Sequence, residues 1–523
     1  MLLNGQDVSD RSIFERSRSV GTILQNPDAQ FVGQTVGEDV AFQMENEETA
    51  PQEMKIKVYS SLDLVGMLQY EEHGPHDLSG GQKQSVALAG VLSTQADILL
   101  FDEPLANLDP ASGRRAMGLI DEIHKTSGRT VILIEHRVED ILGQPIDRIV
   151  IMSEGEIAAI GTPEEILQAG ILPNYGLRQP LYLNALGYAG IKLEHLSDLS
   201  TPEAVTVDKQ AIPEYKQQIE SWMSFIDQNK EYDQSNILLD ICDVSFSYSS
   251  GKNAADAVKG VTLSIGAGER VALLGSNGAG KSTLSGLITG LFKPRDGEIC
   301  WRGENISNWS IRRRGEEIGY VMQNPNHMIT QHMIRDEVAL GLQARGVADS
   351  ERERRTNEAL EICGLYPYRN WPVSALSFGQ KKRLSIASIL VLEPKLMILD
   401  EPTAGQDYRH YTEFMDFISG LADQGMSFLF ITHDMHLALE YADRAAVMAN
   451  GEIIASDTVA NVLSDRTITE QARLRETSLS RFAKAWGISS PVQFVQAFID
   501  TEQRNKKLNH KKPNMEEGEA PHE

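Results

Sequence analysis

Val271-Ala-Leu-Leu-Gly275-Ser-Asn277-Gly278-Ala-Gly280-Lys281-Ser282-Thr283 decides how this chain folds. Its apolar start reads as a buried strand, and the strand runs straight into a glycine-rich loop. From Lys281 to Ile288 the pattern turns helical. Strand, glycine loop and helix in that order are the context a phosphate-binding loop requires. Glycines let successive backbone N–H groups turn inward around phosphate oxygens, and the helix N-terminus adds positive potential. Gly275, Asn277, Gly278, Gly280, Lys281, Ser282 and Thr283 are the candidate nucleotide-binding residues. Lys281 is placed to reach the β and γ phosphates, and Ser282 to coordinate Mg2+. The bland alternative is a helix-start turn that merely uses glycine.

The loop occurs once, yet the motifs downstream of it occur twice. Gln25-Asn26-Pro27 recurs as Gln323-Asn324-Pro325, and Leu78-Ser79-Gly80-Gly81-Gln82 as Leu376-Ser377-Phe378-Gly379-Gln380. Asp102-Glu103-Pro104 recurs as Asp400-Glu401-Pro402. The spacing is the same in both copies, so the position matching Lys281 falls before Met1. The expected layout is a first copy at 1–170, a partly helical linker at 171–236, a complete second copy at 237–480, and a C-terminal helix with a disordered polar tail at 481–523. The chain turns polar after about residue 500, where disorder is expected to begin.

The chain has 523 residues, of which 41% are apolar and 24% charged, the composition of an ordinary globular protein with room for two or three domains. A net charge of −25 argues against a surface built to hold nucleic acid. Cys242, Cys300 and Cys363 are widely spaced and read as thiols in a reducing cytosol. No apolar run reaches the roughly 18 residues that span a bilayer, so a link to a membrane must come through a partner protein.

Lys395-Leu-Met-Ile-Leu-Asp400-Glu401 is an apolar strand ending in two acids. Asp400 is placed to hold Mg2+, and Glu401 to polarise the attacking water as general base. Phe430-Ile-Thr-His433 is a further strand, expected to deliver His433 to the same sheet edge as a sensor of the γ phosphate. Gln323 plays a similar part after Ile318-Gly-Tyr-Val, near phosphate and metal. Tyr248 is placed to stack on adenine, with an ordinary strand aromatic as its competitor.

Leu-Ser-Gly-Gly-Gln followed about 20 residues later by two acids resembles the ATP-binding cassette family, over nearly the whole chain outside linker and tail. The resemblance implies an α/β fold of two P-loop NTPase nucleotide-binding domains in tandem, the first incomplete. Each has a mostly parallel sheet flanked by helices and a helical signature subdomain. It implies ATP and Mg2+ as ligands, and a head-to-tail sandwich of the two cassettes within the chain. There, ATP on the second glycine loop meets Ser79, Gly80, Gly81 and Gln82. Phe378 departs from the family pattern, as does Gln406, which stands where Leu108 stands in the first copy.

Gln25-Asn-Pro-Asp-Ala-Gln30 with Thr35 to Ala41 is similar to the ATPases of energy-coupling-factor transporters. That implies a transmembrane coupling subunit, a separate solute-binding membrane subunit, and a place on the cytoplasmic membrane face. The cargo it implies is a vitamin, a vitamin precursor of thiamine type, or a transition-metal ion. Two other readings stand against it: a soluble tandem cassette acting on ribosomes, and an inert remnant. The prolines and excess of acids in the linker count against the ribosomal reading. The first copy's missing strand is expected inside the sheet beside the strand of Asp102, and its loss leads us to expect a truncated start.

Overall fold

The computed structural model describes the chain except residues 1, 4, 26–29, 79, 95, 106–109, 226–235, 249–255, 404, 405, 407 and 511–523. Ser79, the Asn26–Ala29 stretch, Leu108 and Asp407 therefore lie outside the described residues. Contacts divide the chain into two units, Met1–Ile166 with Leu172–Arg178, and Leu167–Ile171 with Gln179–Glu523.

In the first unit, β1 (Val20–Ile23), β2 (Ile98–Asp102) and β3 (Thr130–Ile134) form a parallel sheet in that order. β4 (Ile149–Ser153) and β5 (Glu156–Gly161) pair antiparallel as a sheet of their own. Helices α1 (Val36–Asn46), α2 (Pro51–Leu64) and α3 (Gly80–Leu92) bury Val40, Met44, Leu62 and Val86 in a separate cluster. Thr35 starts α1 through a capping box with Glu38, which satisfies two amides that the first helical turn leaves unpaired.

The second unit opens with α4 (Leu181–Tyr188) and α5 (Ile212–Met223). β6 (Ile237–Phe246) and β7 (Val258–Gly266) follow, then β8 (Arg270–Leu274), α6 (Lys281–Thr289), β9 (Asp296–Trp301) and β10 (Ile318–Val321). α7 (Phe378–Leu390), β11 (Leu396–Asp400), β12 (Ser427–Thr432), β13 (Arg444–Ala449) and β14 (Glu452–Thr458) complete the sheet region. α8 (Ser478–Ala485) and α9 (Pro491–His510) end it. The main sheet runs β10-β11-β12-β8-β13-β14, parallel except for β14. β6, β7 and β9 belong to an antiparallel sheet. β12 is buried at every residue, which is why Phe428-Leu-Phe-Ile reads as a continuous apolar run rather than an alternation.

Two expectations are corrected. β8 stands between β12 and β13, so its place in the sheet is one strand removed from β11, the strand of Asp400. By the second copy's pattern, the strand expected beside that of Asp102 belongs beside β3 instead. Further, α9 continues to His510, so the polar stretch after residue 500 is helical that far. The linker region is docked rather than slack. Tyr182 stacks on Phe482 with ring centres 6.2 Å apart, Trp222 donates to Thr501 Oγ1 at 3.1 Å, and Arg481 grips Glu203 with two nitrogens. Buried aromatic area, rather than the sparse charge, holds α4 and α5 on the C-terminal helices.

Candidate active site

β8 runs directly into the glycine loop, and because its neighbours run parallel to it, their C-terminal ends lie at the same edge. Ligands of open parallel sheets bind at this end of the strands. A Cβ at Gly275 would stand 2.3 Å from the Met448 carbonyl oxygen. At Gly280, where φ is +108°, it would stand 2.6 Å from the Ala257 carbonyl. Crowding and a left-handed backbone therefore both demand glycine. Lys281 folds back over the loop and donates to the carbonyls of Gly275 at 2.7 Å and Ser276 at 3.1 Å. Ser282 is exposed beside it, whereas Thr283 is buried with Oγ1 2.8 Å from the Tyr248 hydroxyl. That contact ties Tyr248 to the first turn of α6, and its ring stands edge-on to Phe246 and Phe292.

β11 and β12 are neighbours in parallel register, with Asp400 opposite Ile431. Glu401 adopts a left-handed φ of +44° and donates its amide to the Ile431 carbonyl at 2.8 Å. Such a backbone is strained for a non-glycine residue, and strain of this kind gathers at functional sites. The turn aims the Glu401 side chain at β12. One carboxylate oxygen accepts the Thr432 hydroxyl at 3.0 Å, and the other lies 2.7 Å from His433 Nδ1. Burial opposes the charged form of His433, but the charge and hydrogen bond of Glu401 outweigh it and raise the imidazole pKa. Asp400 accepts from the Tyr320 hydroxyl at 3.0 Å. Burial raises the Asp400 pKa, Tyr320 and Lys281 pull it down, and Glu401 adds to the rise. Burial and the Asp400 charge push Tyr320 up to about 12, so it is a neutral donor at pH 7.

The structure thus brings Asp400, Glu401 and His433 together at the edge predicted from sequence. Gln323 is exposed, and among the described residues no hydrogen bond joins it to Asp400 or Glu401. The sequence reading missed Tyr320 and Thr432, whose roles arise only from pairing across strands. Ser377 caps α7 in a reciprocal box with Gln380. A Cβ at Gly80 or Gly379 would meet nothing within 4 Å. Packing within the described structure therefore does not explain glycine at either signature position, and Phe378 is accommodated, partly exposed, beside Gly379.

The first copy repeats the turn and its amide bond but not its carboxylate contacts. Glu103 has φ +46° and bonds the Ile134 carbonyl at 2.9 Å. Gln25 donates to Glu103 at 2.5 Å, while His136 Nδ1 stays 3.4 Å away. Glu135 replaces Thr432. One oxygen accepts the Leu105 amide at 3.2 Å, and the other is buried with no hydrogen-bond partner among the described residues. Burial raises the Glu135 pKa, against the pull of Arg137 and His136. Ile-Glu-His against Ile-Thr-His was the available sequence signal.

The family described as ABC transporter matches residues 1–106 and 258–404, and one described as ATP-binding cassette cobalt transporter matches 169–246. A protein of Clostridium perfringens (strain 13 / Type A), described as an ABC transporter ATP-binding protein, is 48% identical over 95% of this chain and 86% of its own length. A Bacillus anthracis protein of the same description is 51% identical over 96% of this chain and 87% of its own. Among solved structures, cbiO1 from Clostridium perfringens, part of the ABC transporter complex cbiONQ, is 32% identical with a TM-score of 0.42, over 46% of this chain and 96% of that one. With a glycine-rich loop, paired acids and a histidine assembled on one sheet edge, the chain belongs to the ABC transporter ATP-binding proteins, the ATP-hydrolysing subunits of ABC transporters.

Proposed function

We propose that this chain powers an importer of the energy-coupling-factor kind, working on the cytoplasmic face of the membrane. The observation that carries the reading is the match of residues 169–246 to the cobalt-transporter family. These residues include α4 and α5, the helices docked on the C-terminus of the second copy. Its partners are a transmembrane coupling subunit and a separate solute-binding subunit. The cargo is a vitamin, a thiamine-type precursor or a transition-metal ion. Among the described residues no helix is long and apolar enough to cross a membrane. The first copy's helical region instead exposes Val32, Phe42, Ile56 and Tyr59, apolar side chains suited to receiving partner helices.

Glu401 is the general base, with His433 fixing its direction. Tyr248 takes the adenine ring, and Gly275, Asn277, Gly278, Gly280, Lys281, Ser282 and Thr283 hold the phosphates. The exposed Ser282 hydroxyl and the Asp400 carboxylate fit Mg2+, a hard cation that prefers oxygen donors. Bound there, the ion would neutralise phosphate charge. The family resemblance assigns Ser79, Gly80, Gly81 and Gln82 of the first copy to nucleotide as well, and Gln323 joins when nucleotide is present. Ser79→Ala is therefore expected to slow hydrolysis by at least about tenfold. Unchanged turnover in that variant counts against that assignment. Purification of the tagged chain from detergent-treated membranes tests the transport reading. A stoichiometric hydrophobic partner supports it, and ribosomal RNA in its place overturns it.

A further inference from the structure

We propose that Lys382 is a positioning residue for hydrolysis, clamping the turn that carries Glu401 to the signature helix α7. Lys382 lies in the second turn of α7, buried, and its Nζ donates to the Pro402 carbonyl at 2.9 Å. Pro402 directly follows Glu401. On the other side of Glu401, its own amide is held by Ile431. The left-handed turn is thus fixed at both ends, which a strained backbone needs if it is to hold one direction. The first copy makes the same link with a different residue, since Gln84 Nε2 donates to the Pro104 carbonyl. Two unlike side chains reaching one carbonyl mark the hydrogen bond, rather than the charge, as the shared feature.

The second copy couples this change to another. Phe378 replaces the glycine of the first signature, one helical turn before Lys382, and Nζ lies 5.3 Å from its ring. Residues four apart on a helix face each other, and an aromatic ring attracts an ammonium. The ring therefore covers a cation that burial draws down to about 8, against the pull of Glu401. Through this pair the signature end of α7 and the catalytic turn move together.

The inference rests on Glu401 being the general base, and four variants of the full chain separate the two claims. ATP hydrolysis is measured against ATP concentration, together with hydrogen exchange at the Glu401 amide. Lys382→Met is expected to lower kcat by about tenfold or more with KM within about twofold, because the substrate is still bound while the base is misdirected. Lys382→Gln, which restores the first copy's donor, is expected to keep kcat within about threefold. Lys382→Asn, polar but one methylene too short, is expected to behave as Lys382→Met, and it serves if the methionine variant does not fold. Exchange at Glu401 quickens in the Met and Asn variants only. Equal behaviour of Gln and Asn, or a loss confined to KM, overturns the proposal. If Glu401→Gln abolishes turnover while Lys382→Met does not, this inference alone fails. If Glu401→Gln hydrolyses normally, the assignment of the base fails with it.

Discussion

The Glu401 carboxylate takes the Thr432 hydroxyl on one oxygen and His433 on the other. The sign of its pH dependence comes from His433, whose pKa is raised in the fold. A raised pKa means the folded state holds the proton more tightly than the unfolded one. That stabilisation is complete below the ordinary histidine range and is lost as pH rises through the raised value. Chemical unfolding across neutral to mildly alkaline pH should therefore show falling stability, and His433→Gln should flatten the slope. The loop offers a second check. Gly280→Ala must place its Cβ against the Ala257 carbonyl at φ +108°, so it should cost about 2–4 kcal/mol in thermal or chemical unfolding. Asp400, Glu401 and His433 were legible in sequence because each ends an apolar strand, and strand ends of a parallel sheet converge. Tyr320, Thr432 and Lys382 were not, because nothing in their neighbours tells which strand or turn they face. Gln406 reads as a departure from pattern, and the structure gives it weight: it is buried with both amide atoms unpartnered among the described residues.

Strand β3 differs from its counterpart in the second copy in how far it is covered. Its counterpart β12 is buried throughout, whereas Ile132 and Ile134 of β3 are each nearly half exposed. Val150 and Met152 of β4 are exposed as well. In the second copy β8 fills the place between the equivalent strands, and no described strand of the first copy does so. Unpaired strand edges leave amides open to water. Amides of β3 and β4 should therefore exchange with solvent at least about a hundredfold faster than those of β12 and β13, as followed by mass spectrometry. Equal protection would mean that another strand occupies the gap. The elements themselves were legible from apolar runs and turn residues. Their order in the sheet was not, because β8 precedes β11 and β12 in sequence yet inserts beyond them.

Over the whole molecule, the asymmetry of the two copies outweighs their likeness. The second unit holds the glycine loop, the tight Glu401–His433 pair and the Lys382 clamp. The first holds a looser Glu103–His136 contact and a buried extra carboxylate at Glu135. The excess negative charge fits a partner other than nucleic acid, and α4 and α5 are docked on the C-terminal helices of their own unit. The duplication and the single glycine loop were legible from motif spacing alone. The docking of the linker was not, since it depends on aromatic contacts between segments nearly 300 residues apart, as for Trp222 with Thr501. The most direct test compares ATP turnover by the full chain carrying Glu401→Gln with that of the chain carrying Glu103→Gln. The account predicts that Glu401→Gln lowers kcat by about a hundredfold or more while Glu103→Gln leaves it within about threefold. Equal losses in the two variants, or a loss only in Glu103→Gln, would contradict it.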